Sequence, residues 1–214
     1  MAGQSTGKRV LAIALGLVAA AALAVAAFTP KWLATPLADD AGIGLRGAVV
    51  CDSGECAHMS NDALVAYIEA EIARVIEYNK TAEERHMRPV PRQPWAGWPV
   101  CGTIAFIGCL LTAAGLIVAA VLGVAGKRID WPVMPTTIGV LGLIIAMVAG
   151  CVFVATKPEG MEELGLGWSF GVFGGGVIFG LAAVFPLNRQ IRPIDEELGA
   201  ASATMSWGGS RDEQ

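Results

Sequence analysis

The sequence predicts a mainly α-helical membrane protein: a bundle of four transmembrane helices, topped by a small disulfide-pinned β-sheet and a further helix in its first outer loop. Three observations lead there. First, four blocks contain no charged residue: Val10 to Phe28, Trp98 to Gly126, Val133 to Ala155 and Gly167 to Leu187. They hold about 19 to 29 residues each, and a bilayer core needs about 20 in a helix. Second, 54% of the chain is hydrophobic, only 16% is charged and mean hydropathy is +0.57, whereas soluble domains carry about 25% charged residues. Third, three basic pairs that flank the blocks, Lys8-Arg9, Lys127-Arg128 and Arg189 with Arg192, fall on one side of such a bundle.

The first block, taken as span one (10–28), follows Lys8-Arg9 and so also fits a secretory signal, with Ala24-Val25-Ala26 as a small-residue cleavage pattern. Its apolar run is longer than the roughly 7 to 15 residues of a signal core, which favours an uncleaved span. Lys8 and Arg9 precede span one, Lys127 and Arg128 lie between spans two (98–126) and three (133–155), and Arg189 and Arg192 follow span four (167–187). The link 156–166 has one Lys against three Glu. Segments 1–9, 127–132 and 188–214 are therefore expected in the cytoplasm, and segments 29–97 and 156–166 outside. Residues 195–214, polar and Gly/Ser-containing, read as a disordered tail. The chain thus reads as a multi-pass protein of a plasma or bacterial inner membrane. A formal charge of −4 without a dense basic run gives no sign of a nucleic-acid partner.

The long outer loop carries most of the detail. Ile43 to Val50 reads as a strand, Asp52-Ser53-Gly54-Glu55 as a tight turn, and Cys56 to Met59 as a returning strand, which together make a hairpin around 43–59. After possible caps at Ser60, Asn61 and Asp62, Leu64, Ile68, Ile72, Val75 and Ile76 recur at helical spacing and predict a helix over 62–84. Its mixed charges favour packing on the protein itself. Arg88 to Pro94 is a Pro-rich extended connector. Trp95 and Trp98 flank the start of span two, as interfacial anchors do.

The spans are full of small residues. Span four places Gly167, Gly171 and Gly175 four apart, with Gly176 and Gly180 on a neighbouring stripe. Span two has Gly115, Ala119 and Gly123, and span three Gly142, Ala146 and Gly150. Such spacing lets helix backbones approach closely in lipid, where dispersion replaces the hydrophobic effect as the driving force. The stripe of span four serves either a bundle that packs on itself or a face that docks a partner protein or another copy.

No span contains an Asp, Glu, Lys, Arg or His, which argues against a coupled transporter and against intramembrane haem ligation. Cys101, Cys109 and Cys151 read as small apolar packing residues. The outer pair, Cys51 and Cys56, has four residues between its members. A structural disulfide is the favoured reading in an oxidising outer compartment. A redox pair and a metal site completed by His58 with Asp52 or Glu55 are the alternatives. No cofactor, catalytic residue or small-molecule substrate is implied.

Four spans, cytoplasmic ends, a large first outer loop, a Trp soon after span one, then Gly-Leu and a close cysteine pair resemble the claudin and peripheral-myelin-protein superfamily. Its first-loop signature is a Trp, then Gly-Leu-Trp, then two Cys. Here Trp32 matches the lone Trp, Gly44 and Leu45 the Gly-Leu, and Cys51 with Cys56 the disulfide, while Arg46 stands where the family has its second Trp. The resemblance implies a left-handed bundle topped by a small outer sheet that Cys51–Cys56 holds. It also implies work by contact with lipid-embedded partners or with itself: adhesion, scaffolding, or service as an accessory subunit. Two alternatives stay open, a membrane thiol oxidoreductase that uses Cys51 and Cys56, and a passive oligomeric channel subunit.

Overall fold

A computed structural model of the chain describes residues 6–34, 41–52, 55–125, 134–159, 161 and 164–191. Lys127, Arg128, Arg192 and the tail 195–214, on which part of the topology reading rests, lie outside the described residues.

The elements run α1 (Thr6–Phe28), β1 (Leu33–Ala34), β2 (Gly42–Ile43), β3 (Gly47–Asp52), β4 (Glu55–Ser60), α2 (Asn61–Thr81), α3 (Trp98–Ala125), α4 (Met134–Ala155), β5 (Gly165–Leu166) and α5 (Trp168–Ile191). Four of these helices, α1, α3, α4 and α5, are long and apolar enough to cross a membrane. A helix bonds its backbone to itself, so an uncharged run can lie in hydrocarbon without orphaned polar groups. α1 packs along α3 and α5, and α3 packs along α4. Val10, Leu111, Ile144 and Phe185 point outward from this bundle and are exposed, as lipid-facing side chains would be.

Small residues set how close the helices come. A Cβ on Gly108 would stand 2.6 Å from the Ala146 backbone nitrogen, and one on Gly115 would stand 2.9 Å from Gly139 Cα. α3 and α4 therefore touch backbone to backbone, a geometry that lipid-embedded helices favour for its dispersion contact. Thr112 is buried in the same seam, and its hydroxyl donates to the Gly108 carbonyl at 2.8 Å.

The five strands form one antiparallel sheet in the order β4-β3-β2-β1-β5. Four come from the link between α1 and α3, and the fifth comes from the link between α4 and α5. Both links thus meet at one end of the bundle. Here α3 is longer than its neighbours: 28 residues rise about 42 Å, against a hydrocarbon core of about 30 Å. Phe28, the last residue of α1, meets Phe106 edge-on with centroids 5.2 Å apart. The first two turns of α3 therefore stand beyond the end of α1, and the sheet fills the space that this leaves.

Several elements depart from expectation. Ile43 to Val50 is not one strand, because the chain reverses at Gly44-Leu45-Arg46 and separates β2 from β3. The cause is tertiary. A Cβ on Gly44 would come within 2.8 Å of the Thr29 carbonyl and Pro30 Cα, so this turn lies directly on the backbone that leaves α1. The hairpin is consequently β3–β4, with Cys51 opposite Cys56 and Asp52 opposite Glu55; Ser53 and Gly54 lie outside the described residues. The helix after the hairpin is Asn61–Thr81, followed by a separate 3-10 turn, Glu84–His86. Its first half packs on the protein, with Leu64 buried and Val65 and Ile68 against the core, whereas Tyr78 is exposed. Trp98 is no interfacial anchor. It is fully buried, and Trp95 alone of that pair is exposed.

Candidate functional site

The sheet and its seat on the bundle gather the residues singled out from the sequence. Trp32 lies at their centre, fully buried. Its backbone N–H donates to the Ile43 carbonyl at 2.9 Å, and its own carbonyl accepts from Gly167 N–H at 2.8 Å. Its ring packs against Phe170 and Phe173 of α5, at centroid distances of 5.6 and 5.0 Å. On the α4 side, Gly150 leaves room for it, since a Cβ there would stand 3.1 Å from Cζ3. One residue thus joins both loop segments through its backbone and packs on α4 and α5 through its ring.

The Trp32 indole also completes a helix end. The last carbonyls of a helix have no partner within it, and those buried in the protein need a donor from elsewhere in the chain. At the end of α1, Val25 O accepts from the Thr29 amide at 3.1 Å and the Thr29 hydroxyl at 2.5 Å, and Ala26 O accepts from Trp32 Nε1 at 2.6 Å. The end of α4 repeats the device. Val152 O accepts from the Thr156 amide at 2.9 Å and its hydroxyl at 2.7 Å, and Phe153 O accepts from Trp98 Nε1 at 2.9 Å. Trp98 also stacks on the Phe153 ring at 4.6 Å. Sequence reasoning had passed over this pairing. Its signal was legible as a Thr four residues after a Val at two span ends, with Trp32 and Trp98 nearby, which the sequence reading gave other roles.

Gly44 and Leu45 form the turn between β2 and β3, and Leu45 is fully buried. Their carbonyls accept from Asn61 Nδ2 at 3.2 and 2.9 Å. Asn61 is itself buried as the first residue of α2, behind a Ser60 cap that accepts from the Ala63 amide at 3.1 Å. A Cβ on Gly102 of α3 would meet the Leu45 carbonyl, and would stand 3.2 Å from Asn61 Nδ2. Turn, outer helix and α3 are thereby locked at one point. Arg46, beside them, lays its guanidinium over the Phe106 ring at 5.0 Å.

Cys51 and Cys56 are disulfide-bonded across the β3–β4 pair. The free cysteines Cys101, Cys109 and Cys151 all belong to α3 or α4. Among the described residues no group of three or more His, Cys, Asp or Glu converges. The bridge closes a short loop, so its entropic effect on the unfolded chain is modest. We expect the C51S/C56S double variant to lose about 2 kcal/mol of stability by loop-length scaling, with the bundle still helical by circular dichroism. An unchanged unfolding midpoint would show that the hairpin keeps its register without the bridge.

The glycines of the last span divide into distinct environments. A Cβ on Gly167 would collide with the Lys31 backbone carbonyl, so this residue seats β5 against the start of the sheet. Gly176 and Gly180 face the bundle: a Cβ on the first would stand 3.0 Å from Leu23, and one on the second 3.7 Å from Leu116. Gly171 and Gly175 have nothing within 4 Å of where a Cβ would be. The two edge strands of the sheet are both exposed and differ in length, β5 having two residues and β4 six. β4, at one end of the strand order, is largely exposed along its length.

Neither models of known protein families nor curated proteins show a match to this chain.

Proposed function

We propose that this chain is a non-enzymatic, claudin-like integral membrane protein that works by contact. In this reading the sheet stands outside the cell and binds a neighbouring membrane protein or a second copy of the chain. Both chain ends then lie in the cytoplasm of a cell with this protein in its plasma or inner membrane. Its role is that of a scaffold, an adhesion component or an accessory subunit of a membrane complex.

The observation that carries the reading is β4. It is six residues long, exposed, at the end of the strand order, and it contains neither Lys nor Pro. An edge strand presents unpaired N–H and C=O groups to any strand that approaches, and proteins that avoid such pairing place Lys or Pro there. The edge is also rigidly mounted, since the bridge pins its tip and Asn61 fixes its base. The seating of Trp32 and the Gly44-Leu45 turn beneath a sheet bridged by Cys51–Cys56 supports the family resemblance. Lys8, Arg9, Lys127, Arg128, Arg189 and Arg192 support the orientation through the positive-inside bias.

Ala57, in the middle of β4, offers the test. We expect A57P and A57K to reduce chemical crosslinking of the chain to its neighbours in native membranes by about tenfold, equivalent to 1.4 kcal/mol. The unfolding midpoint of A57K should stay near that of the parent, whereas A57P also removes the Ala57 N–H that faces β3 and should unfold earlier. Crosslinked species of unchanged yield in both variants would sink the contact role of β4.

A further inference from the structure

A cavity of about 520 Å³ opens between the end of α1 and the β3–β4 hairpin. Phe28 and Pro30 form its floor, Leu45 and Arg46 one wall, and Val49 and His58 another. Among the described residues, no carboxylate lines it. The Arg46 side chain is exposed, and its contact among the described residues is the Phe106 face. An aromatic face holds the guanidinium in place through the ring quadrupole and leaves its N–H donors free for a planar, multidentate anion contact.

The depth of this cavity in a bilayer follows from the helices. α1 has 23 residues and rises about 35 Å, enough to cover a hydrocarbon core of about 30 Å. Its last residue, Phe28, therefore marks the level where acyl chains give way to headgroups, and that ring is 66% exposed. Phe106 touches Phe28 and also carries Arg46. The guanidinium thus stands at the phosphate level, directly beside an apolar floor that continues into the hydrocarbon.

The geometry points to this cavity as a binding site for the headgroup of an anionic phospholipid. Arg46 takes the phosphate, and the first part of an acyl chain lies along Phe28. A headgroup with net negative charge fits, because the described lining residues offer the Arg46 cation and no carboxylate to oppose it. A choline headgroup would instead bring its own cation to Arg46. The site depends on the chain lying in a bilayer and is independent of the contact role of β4.

Native mass spectrometry of the full chain in mild detergent, given equal amounts of phosphatidylglycerol and phosphatidylcholine, tests the site. We expect the parent to retain phosphatidylglycerol about tenfold over phosphatidylcholine, which offers the same phosphate but sets a choline cation beside Arg46. R46Q should bring that ratio to near one, and R46K should keep part of it. Where R46Q does not fold, H58E decides, since it leaves Arg46 in place and adds an opposing charge to the far wall. Equal retention of both lipids by the parent overturns the site. So does an undiminished preference in R46Q, or in H58E where H58E decides.

Discussion

Replacing Trp32 with Ala should cost about 4 kcal/mol of stability. For a chain of this size that is a fall in unfolding midpoint of about 10 °C. The ring is fully buried, and its removal empties the space between Gly150, Phe170 and Phe173. It also leaves the Ala26 carbonyl without the indole donor at 2.6 Å. A second variant separates the two contributions. Trp32→Phe keeps most of the packing but removes the donor, and should lose about 1–3 kcal/mol, the cost of an unsatisfied buried acceptor. Thermal unfolding in detergent measures both. A midpoint within about 2 °C of the parent for Trp32→Ala would mean that the sheet is not seated through Trp32.

Gly108→Val is the second large effect, and its cause is of the opposite kind. Here a side chain is added where two backbones already touch, with the Ala146 nitrogen 2.6 Å and the Gly142 carbonyl 2.8 Å from the new Cβ. Backbone cannot swing aside as a flexible side chain can. The α3–α4 seam must part, at a cost of about 3 kcal/mol or more. Gly171→Ala is the matched control, because nothing lies within 4 Å of its added methyl. It should stay within about 0.5 kcal/mol of the parent. If both variants unfold at the parent midpoint, backbone contact between α3 and α4 does not limit stability. If Gly171→Ala is the more damaging, that face is covered by something in the folded protein.

These two sites show what could and could not be read in advance. The small-residue spacing of the spans was plain in the sequence, but which glycines face a neighbour was not. Gly171, Gly175, Gly176 and Gly180 share one helix, and spacing alone gives no zero of rotation for it. Packing supplies that zero: Leu23 and Leu116 lie beside Gly176 and Gly180, and leave Gly171 and Gly175 open. Trp98 illustrates the same limit. Its place at the start of a span suits an interfacial anchor, and only the approach of the α4 terminus turns its N–H inward to Phe153.

By itself the sequence determined four apolar helices, the hairpin between Cys51 and Cys56 and the helix after it. Each of these follows from local chemistry: uncharged runs long enough to satisfy their own backbone, turn residues between two short strands, and a capped apolar periodicity. Tertiary structure alone decided the break at Gly44-Leu45-Arg46, the recruitment of β5 from a distant link, and the mounting of the sheet on the projecting turns of α3. Those depend on groups far apart in the chain: Thr29 and Pro30 against Gly44, Asn61 against Leu45, and Trp32 against Gly167. A run of residues records its own dihedral preferences. It does not record which distant carbonyl will be left without water, and that need is what drew Trp32 and Trp98 into the protein.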